Sequence, residues 1–174
     1  MEPNERLSAL ELALNNEMNE REFYLKHAER TRNPVGKAMF QEIADDELEH
    51  YQRLKDLHQT WEKKEKWPQS VPLTVKNTNI KDVLKGALQN VDKEAVSDDD
   101  DLKALATATA FEAKGAEFYA GLRDAVTDER EKAFFDLLAR IEREHYLSLK
   151  DTEEYLKDPD SWFRKSEHHS LDGA

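Results

Sequence analysis

Residues 40–54 read FQEIADDELEHYQRL. Within this stretch Glu47 and His50 form a Glu-x-x-His step, set inside an apolar stripe of Phe40, Ile43, Leu54 and, just beyond it, Leu57. The stripe advances by three and four residues, so the helix face that should enter a core also carries a carboxylate and an imidazole. A buried carboxylate without a partner is costly and either neutralises or finds one. The chain repeats the arrangement 95 residues later, where Phe135, Leu138, Glu142, His145 and Leu149 fall in register with Phe40, Ile43, Glu47, His50 and Leu54. Tyr146 likewise matches Tyr51. One Glu-x-x-His is expected by chance in a Glu-rich chain with six histidines. Two in register within a longer repeat form a constellation.

The repeat extends outward from this stretch. Glu17, Phe23 and Tyr24 become Glu112, Phe118 and Tyr119 at the same offset of 95. In each half a lone Glu precedes the Glu-x-x-His glutamate by 30 residues, and a tyrosine follows the lone Glu by seven. Taken singly, Glu17 or Glu112 reads as a surface glutamate, His50 or His145 as a structural histidine, and Tyr24 or Tyr119 as core. Those readings leave the apolar stripes and the common offset unexplained. Four glutamates and two histidines converging from four helices would be intolerable as an empty buried cluster, because desolvation and like charge both penalise it. A pair of divalent metal ions removes the difficulty. Carboxylate oxygens with one imidazole per metal suit iron or manganese, with zinc as a further substitute. In a helix, Glu and His three apart share a face and can reach one ion. Tyr24 and Tyr119 are placed to hydrogen-bond the metal-bound carboxylates.

At 174 residues the chain suits one domain spanning 1–174, so the repeat reads as two halves of one bundle. A composition of 38% hydrophobic and 37% charged residues, with five Gly and five Pro, favours long solvated helices over sheets. The net charge of −12 argues against nucleic acid or an anionic membrane as partner, since both need a basic face. No apolar run approaches the roughly 20 residues that span a bilayer. The opening MEPNERLSAL is acidic and lacks a signal-peptide core, so a cytoplasmic location is expected. Without cysteine there is no disulfide, no thiolate metal site and no cysteine-ligated cluster.

In chain order, residues 5–64 form the first helical hairpin. Its first helix, 5–31, aligns Leu7, Leu10, Leu14, Glu17, Arg21, Tyr24 and Ala28 on one face. Asn33 caps the second helix and Pro34 opens it, running to about Lys64. Residues 65–97 are a crossover, irregular around Pro68, Pro72 and Asn77, with a short amphipathic helix through Ile80, Val83, Leu84, Ala87, Leu88 and Val91. Residues 98–157 form the second hairpin. The third helix starts near Ser97, with the acidic run Asp98 to Asp101 favourable to its dipole and too poor in glycine and spacing for an EF-hand. Its stripe runs Leu105, Ala108, Glu112, Gly115, Tyr119, Leu122, and the small residues would admit a neighbouring helix. Thr127 is the predicted cap of the fourth helix, which stops at Asp158-Pro159. The tail, 158–174, carries Trp162 and Phe163, expected to dock on the bundle or a second subunit, and His168 and His169, to which no role is given. The fold expected is all-α: an antiparallel four-helix bundle with a long crossover between its second and third helices, the ferritin-like topology.

The motifs ALNNEMNEREFY (13–24), IADDELEHYQRL (43–54), TAFEAKGAEFYA (109–120) and IEREHYLSL (141–149) together resemble those of the rubrerythrin family of di-iron carboxylate proteins, over roughly residues 5–157. The resemblance implies an oxidoreductase that reduces hydrogen peroxide in oxidative-stress defence. Two iron ions would be ligated by Glu17, Glu47, His50, Glu112, Glu142 and His145, with Tyr24 and Tyr119 steering. A homodimer is the expected assembly. Some rubrerythrins carry their own cysteine-ligated rubredoxin domain; here, with no cysteine, electrons would come from an external donor such as a separate rubredoxin. Rubrerythrins also usually have a seventh ligand, a Glu three residues after the lone Glu of the third helix. This chain has Gly115 there, while the repeat mate of that position is Glu20, which becomes the candidate extra ligand. The remaining six-ligand set resembles a bacterioferritin centre, so ferrous oxidation by dioxygen with iron storage is the alternative function. A non-catalytic, metal-binding helical interaction protein is the alternative of another class.

Overall fold

The computed structural model describes residues 3–64, 78, 80–90 and 99–171. These residues form six helices and no strand: α1 (Pro3–Arg30), α2 (Pro34–Lys64), α3 (Ile80–Asn90), α4 (Asp99–Ala125), α5 (Glu129–Lys157) and α6 (Pro159–Leu171). The all-α class follows, and among the described residues no helix is long and apolar enough to cross a membrane.

Local chemistry sets the hairpins. Asn33 Oδ1 accepts from the backbone N–H of Val35 at 2.9 Å and of Gly36 at 3.3 Å, and Pro34 occupies the first helical position where its missing N–H costs nothing. With so short a link, α1 and α2 pack along each other as an antiparallel pair, and α4 and α5 do the same. The cap of α5 differs from the one predicted: it is Asp128, not Thr127. The Asp128 carboxylate accepts from Arg130 N and Glu131 N, and a charged acceptor facing the positive helix end outcompetes a hydroxyl one residue earlier. The acidic residues in the first turn of α4 do more than face a dipole. Asp100 pairs with Arg30 at 2.9 Å and buried Asp101 accepts from Thr31 Oγ1 at 2.5 Å, which clamps the α1–α2 turn to the start of α4. The predicted helix start at Ser97 lies outside the described residues, as do Pro68, Pro72, Asn77 and Val91.

The core falls into two apolar clusters. One contains Leu10, Leu54, Leu57, Trp61, Leu122, Phe134 and Leu138; the other contains Ala28, Met39, Phe40, Ile43, Leu105, Leu149 and Tyr155. Along α1 and α5 the chain passes from the first cluster to the second, and along α2 and α4 from the second to the first. Hence α2 ends at one end of the bundle and α4 begins at the other, so the chain between them must travel the bundle's length. This is the physical reason for the long crossover, and α3 packs on α2 and α5 along it.

The segment after Asp158, expected as a tail, is the helix α6. Asp158 Oδ1 accepts from Ser161 N at 2.9 Å and Pro159 takes the first helical position, repeating the cap chemistry of Asn33-Pro34. Trp162 and Phe163 dock edge-on against Tyr155 at 5.8 Å and 6.0 Å between ring centroids, and Trp162 Nε1 donates to Asp151 Oδ1 at 2.8 Å. The side chains of His168 and His169 lie outside the described residues.

Candidate metal centre

Between the two apolar clusters every long helix contributes a polar residue at the same level: Glu17 from α1, Glu47 and His50 from α2, Glu112 from α4, Glu142 and His145 from α5. Each is at most 3% exposed. His50 Nδ1 lies 3.2 Å from Glu17 Oε2, 3.1 Å from Glu47 Oε2 and 3.4 Å from Glu142 Oε1. His145 Nδ1 lies 3.2 Å from Glu112 Oε2 and 3.5 Å from Glu47 Oε1. The two imidazoles stack with centroids 6.1 Å apart, inclined by 20°. The structure thus brings together all six residues singled out by the repeat.

The cluster resolves into two groups of four. In one, Glu17, Glu47, His50 and Glu142 each offer a ligand atom within 4.8 Å of the others; in the second, Glu47, Glu112, Glu142 and His145 do the same. Glu47 and Glu142 belong to both. Within the cluster these two also carry the buried oxygens that no hydrogen bond satisfies: Oε1 of Glu47 and both oxygens of Glu142. Oxygens so placed normally find partners, and a cation shared between the groups would satisfy them. The donor set therefore fits a bridged pair of divalent ions.

Tyr24 and Tyr119 are buried and act across the bundle. The Tyr24 hydroxyl on α1 donates to Glu112 on α4, and the Tyr119 hydroxyl on α4 donates to Glu17 on α1. Each tyrosine thus serves the lone glutamate of the opposite half. Burial, and then the neighbouring carboxylates, raise both phenols well above their ordinary value, so they remain donors.

Protons meet the same crowding. Burial and the charges of Glu142 and Glu17 push Glu47 well up, while burial and Glu112 push Glu142 up to about 8. Burial also pulls on Glu17, yet its hydrogen bond with Glu47 and the adjacent His50 hold it below its ordinary value. Burial disfavours charge on His50 and His145, but the carboxylates around them win and raise both well above the ordinary imidazole value. Protons would compete with any divalent cation for this donor set.

Glu20 lies beside the cluster but in neither group of four. Burial, with repulsion from Glu142, Glu112 and Glu17, pushes it up to about 9. It lines a groove of about 580 Å³ between α1 and α4, together with Asn16, Phe23, Phe111, Lys114 and Gly115. At Gly115 a Cβ would stand 2.7 Å from Glu142 Oε2 and 3.2 Å from its Cδ. The small residue that looked like room for a neighbouring helix is room for the Glu142 carboxylate.

Sequence reasoning missed Asp46. Its Oδ2 lies 3.0 Å from His145 Nε2, on the side of the ring away from the glutamates. The repeat could not find it, because 95 residues on stands Ile141. A usable signal was its position next to Glu47 in the run Asp45-Asp46-Glu47.

Comparison with known proteins bears on the whole arrangement. A family model described as Rubrerythrin matches residues 8–153, a span that includes every residue of the cluster. No curated protein and no solved structure gives a significant match.

Proposed function

Since the chain belongs to the rubrerythrin family, whose members generally have oxidoreductase activity, we propose that it is a non-haem di-iron oxidoreductase reducing hydrogen peroxide to water in oxidative-stress defence. One observation carries this reading: Glu47 and Glu142 are common to two groups of four ligands, and within the cluster theirs are the buried oxygens that no hydrogen bond satisfies. Glu17 and His50 would then hold one ion, Glu112 and His145 the other, with Glu47 and Glu142 bridging. Bound there, two adjacent ferrous ions would supply the two electrons needed to cleave the O–O bond. With two protons, those electrons would convert peroxide to two waters.

The chain's own residues do the rest. The two apolar clusters keep bulk water from the ends of the site. Tyr24 and Tyr119 fix the orientation of Glu112 and Glu17. Gly115, against which the Glu142 carboxylate packs, lines the groove between α1 and α4, the proposed approach for peroxide, and Glu20 in that groove is the proposed extra ligand. With no cysteine in the chain, reduction depends on an external donor such as a separate rubredoxin. Iron is the proposed metal, with manganese and zinc suited to the same donors. A cytoplasmic homodimer is the proposed setting.

Gly115 favours one second reading. It leaves six ligands, the number in a bacterioferritin centre, and so supports ferrous oxidation by dioxygen coupled to iron storage in a hollow multimer. Anaerobic loading with ferrous iron, followed by separate mixing with peroxide and with dioxygen, decides between them. Fast oxidation by peroxide alone supports the peroxidase. Fast oxidation by dioxygen with mineral growth supports storage, and failure to bind a metal pair defeats both.

A further inference from the structure

The two halves of the centre differ in what stands behind their histidines. His145 turns Nδ1 toward the glutamates and Nε2 toward Asp46, 3.0 Å away. Asp46 is itself hydrogen-bonded by the side chain of Thr78, just ahead of α3, so the crossover holds the residue that holds His145. At the equivalent place in the other half is Ile141, an aliphatic side chain only 3% exposed, which accepts no hydrogen bond. His50 therefore meets the cluster through Nδ1 without a carboxylate at the matching position behind it.

We infer that Asp46 is a positioning residue that makes the two half-sites unequal, so that Glu112 and His145 take the first metal ion and hold it more tightly than Glu17 and His50. The inference rests on the cluster being a metal-pair centre. A carboxylate on the far ring nitrogen fixes the tautomer that keeps its proton on Nε2, which leaves the Nδ1 lone pair for the ion. It also fixes the ring's rotation and raises the basicity of the ligating nitrogen. Glu47 and Glu142 belong to both half-sites, so neither is the private ligand of one of them. The proposed difference is carried by the pair Asp46 and Ile141, where the 95-residue repeat changes a carboxylate that is hydrogen-bonded to His145 into a hydrocarbon.

The test is titration of the chelator-treated full chain with Co²⁺, which reports binding rather than turnover, followed by visible absorption and by native mass spectrometry. The wild type should fill in two steps whose affinities differ by about tenfold or more. Crystals grown with one equivalent of Co²⁺ should show anomalous scattering at the Glu112–His145 half-site. In Asp46→Ala the first step should weaken by about 10- to 100-fold while the second changes less than about threefold, so the steps merge. Asp46→Asn preserves shape and removes the charge, and should fall between wild type and Asp46→Ala. Two indistinguishable steps in the wild type would overturn the inference, as would equal weakening of both steps by Asp46→Ala. A wild type that binds no Co²⁺ would overturn the metal-pair reading itself.

Discussion

The Tyr119 hydroxyl on α4 donates to the Glu17 carboxylate on α1, and Tyr24 on α1 returns the same bond to Glu112 on α4. These reciprocal bonds tie together two helices from different hairpins through fully buried groups. Removing either hydroxyl leaves a buried carboxylate with one donor fewer. Tyr119→Phe and Tyr24→Phe should each lower the unfolding free energy of the metal-free protein by about 1–3 kcal/mol, measured by chemical denaturation. Both variants should still bind two metal ions. Unchanged stability in both would show that the tyrosines are merely packed.

Gly115 separates backbone room from ligand room. Gly115→Ala places a Cβ 2.7 Å from Glu142 Oε2, so the carboxylate must move out of its shared position. Metal affinity should fall by about tenfold or more, the scale on which disturbed ligand orientation is felt. Gly121 is the control: nothing lies within 4 Å of its Cβ direction. Gly121→Ala should leave binding unchanged and raise stability by up to about 1 kcal/mol, from helix propensity. Isothermal titration and thermal melts of the two variants check both outcomes.

The pH dependence of stability has a definite sign. Glu47, Glu142 (about 8) and Glu20 (about 9) are raised, mainly by burial, and His50 and His145 are raised by the carboxylates around them against burial. A raised group contributes stability that is fully present below its unfolded value and is lost as pH climbs through its folded value. Metal-free protein should therefore lose stability steadily between about pH 5 and pH 9. Glu17 is lowered and works the other way, losing its contribution only as pH falls below the ordinary carboxylate range. Metal competes with the same protons, so the gap in Tm between loaded and chelated protein should widen as pH rises. Calorimetry at several pH values measures it, and a gap that narrows would contradict the burial of these charges.

The cap of α5 offers a test confined to the fold. Asp128→Ala removes the acceptor for Arg130 N and Glu131 N and should cost about 1 kcal/mol. Thr127→Ala should stay within about 0.5 kcal/mol, because Thr127 lies outside the cap. Denaturant midpoints of the two variants decide which residue starts the helix.

Much of this was legible in the sequence for a physical reason. Glu17, Glu47, His50, Glu112, Glu142 and His145 interrupt apolar stripes, and a helix period fixes which face they share, so their convergence follows from pattern alone. The bounds of α2 and the cap at Asn33 were equally open, since proline and asparagine act locally. What stayed hidden was relational. Which tyrosine serves which glutamate depends on how the hairpins dock, and periodicity says nothing of that. Asp46 was missed because a search for repeats discards the positions where the halves differ. The helical nature of residues 159–171 was missed because their helix is short and is held partly by Trp162 and Phe163 docking on Tyr155.

Mössbauer spectroscopy of protein loaded anaerobically with two equivalents of ⁵⁷Fe²⁺ per chain and then treated with peroxide tests the shared roles of Glu47 and Glu142 most directly. The expected result is conversion of both ions together to a magnetically coupled diferric pair, with no isolated ferric signal. Binding of a single iron per chain, or oxidation to uncoupled ferric ions, would contradict the bridged centre.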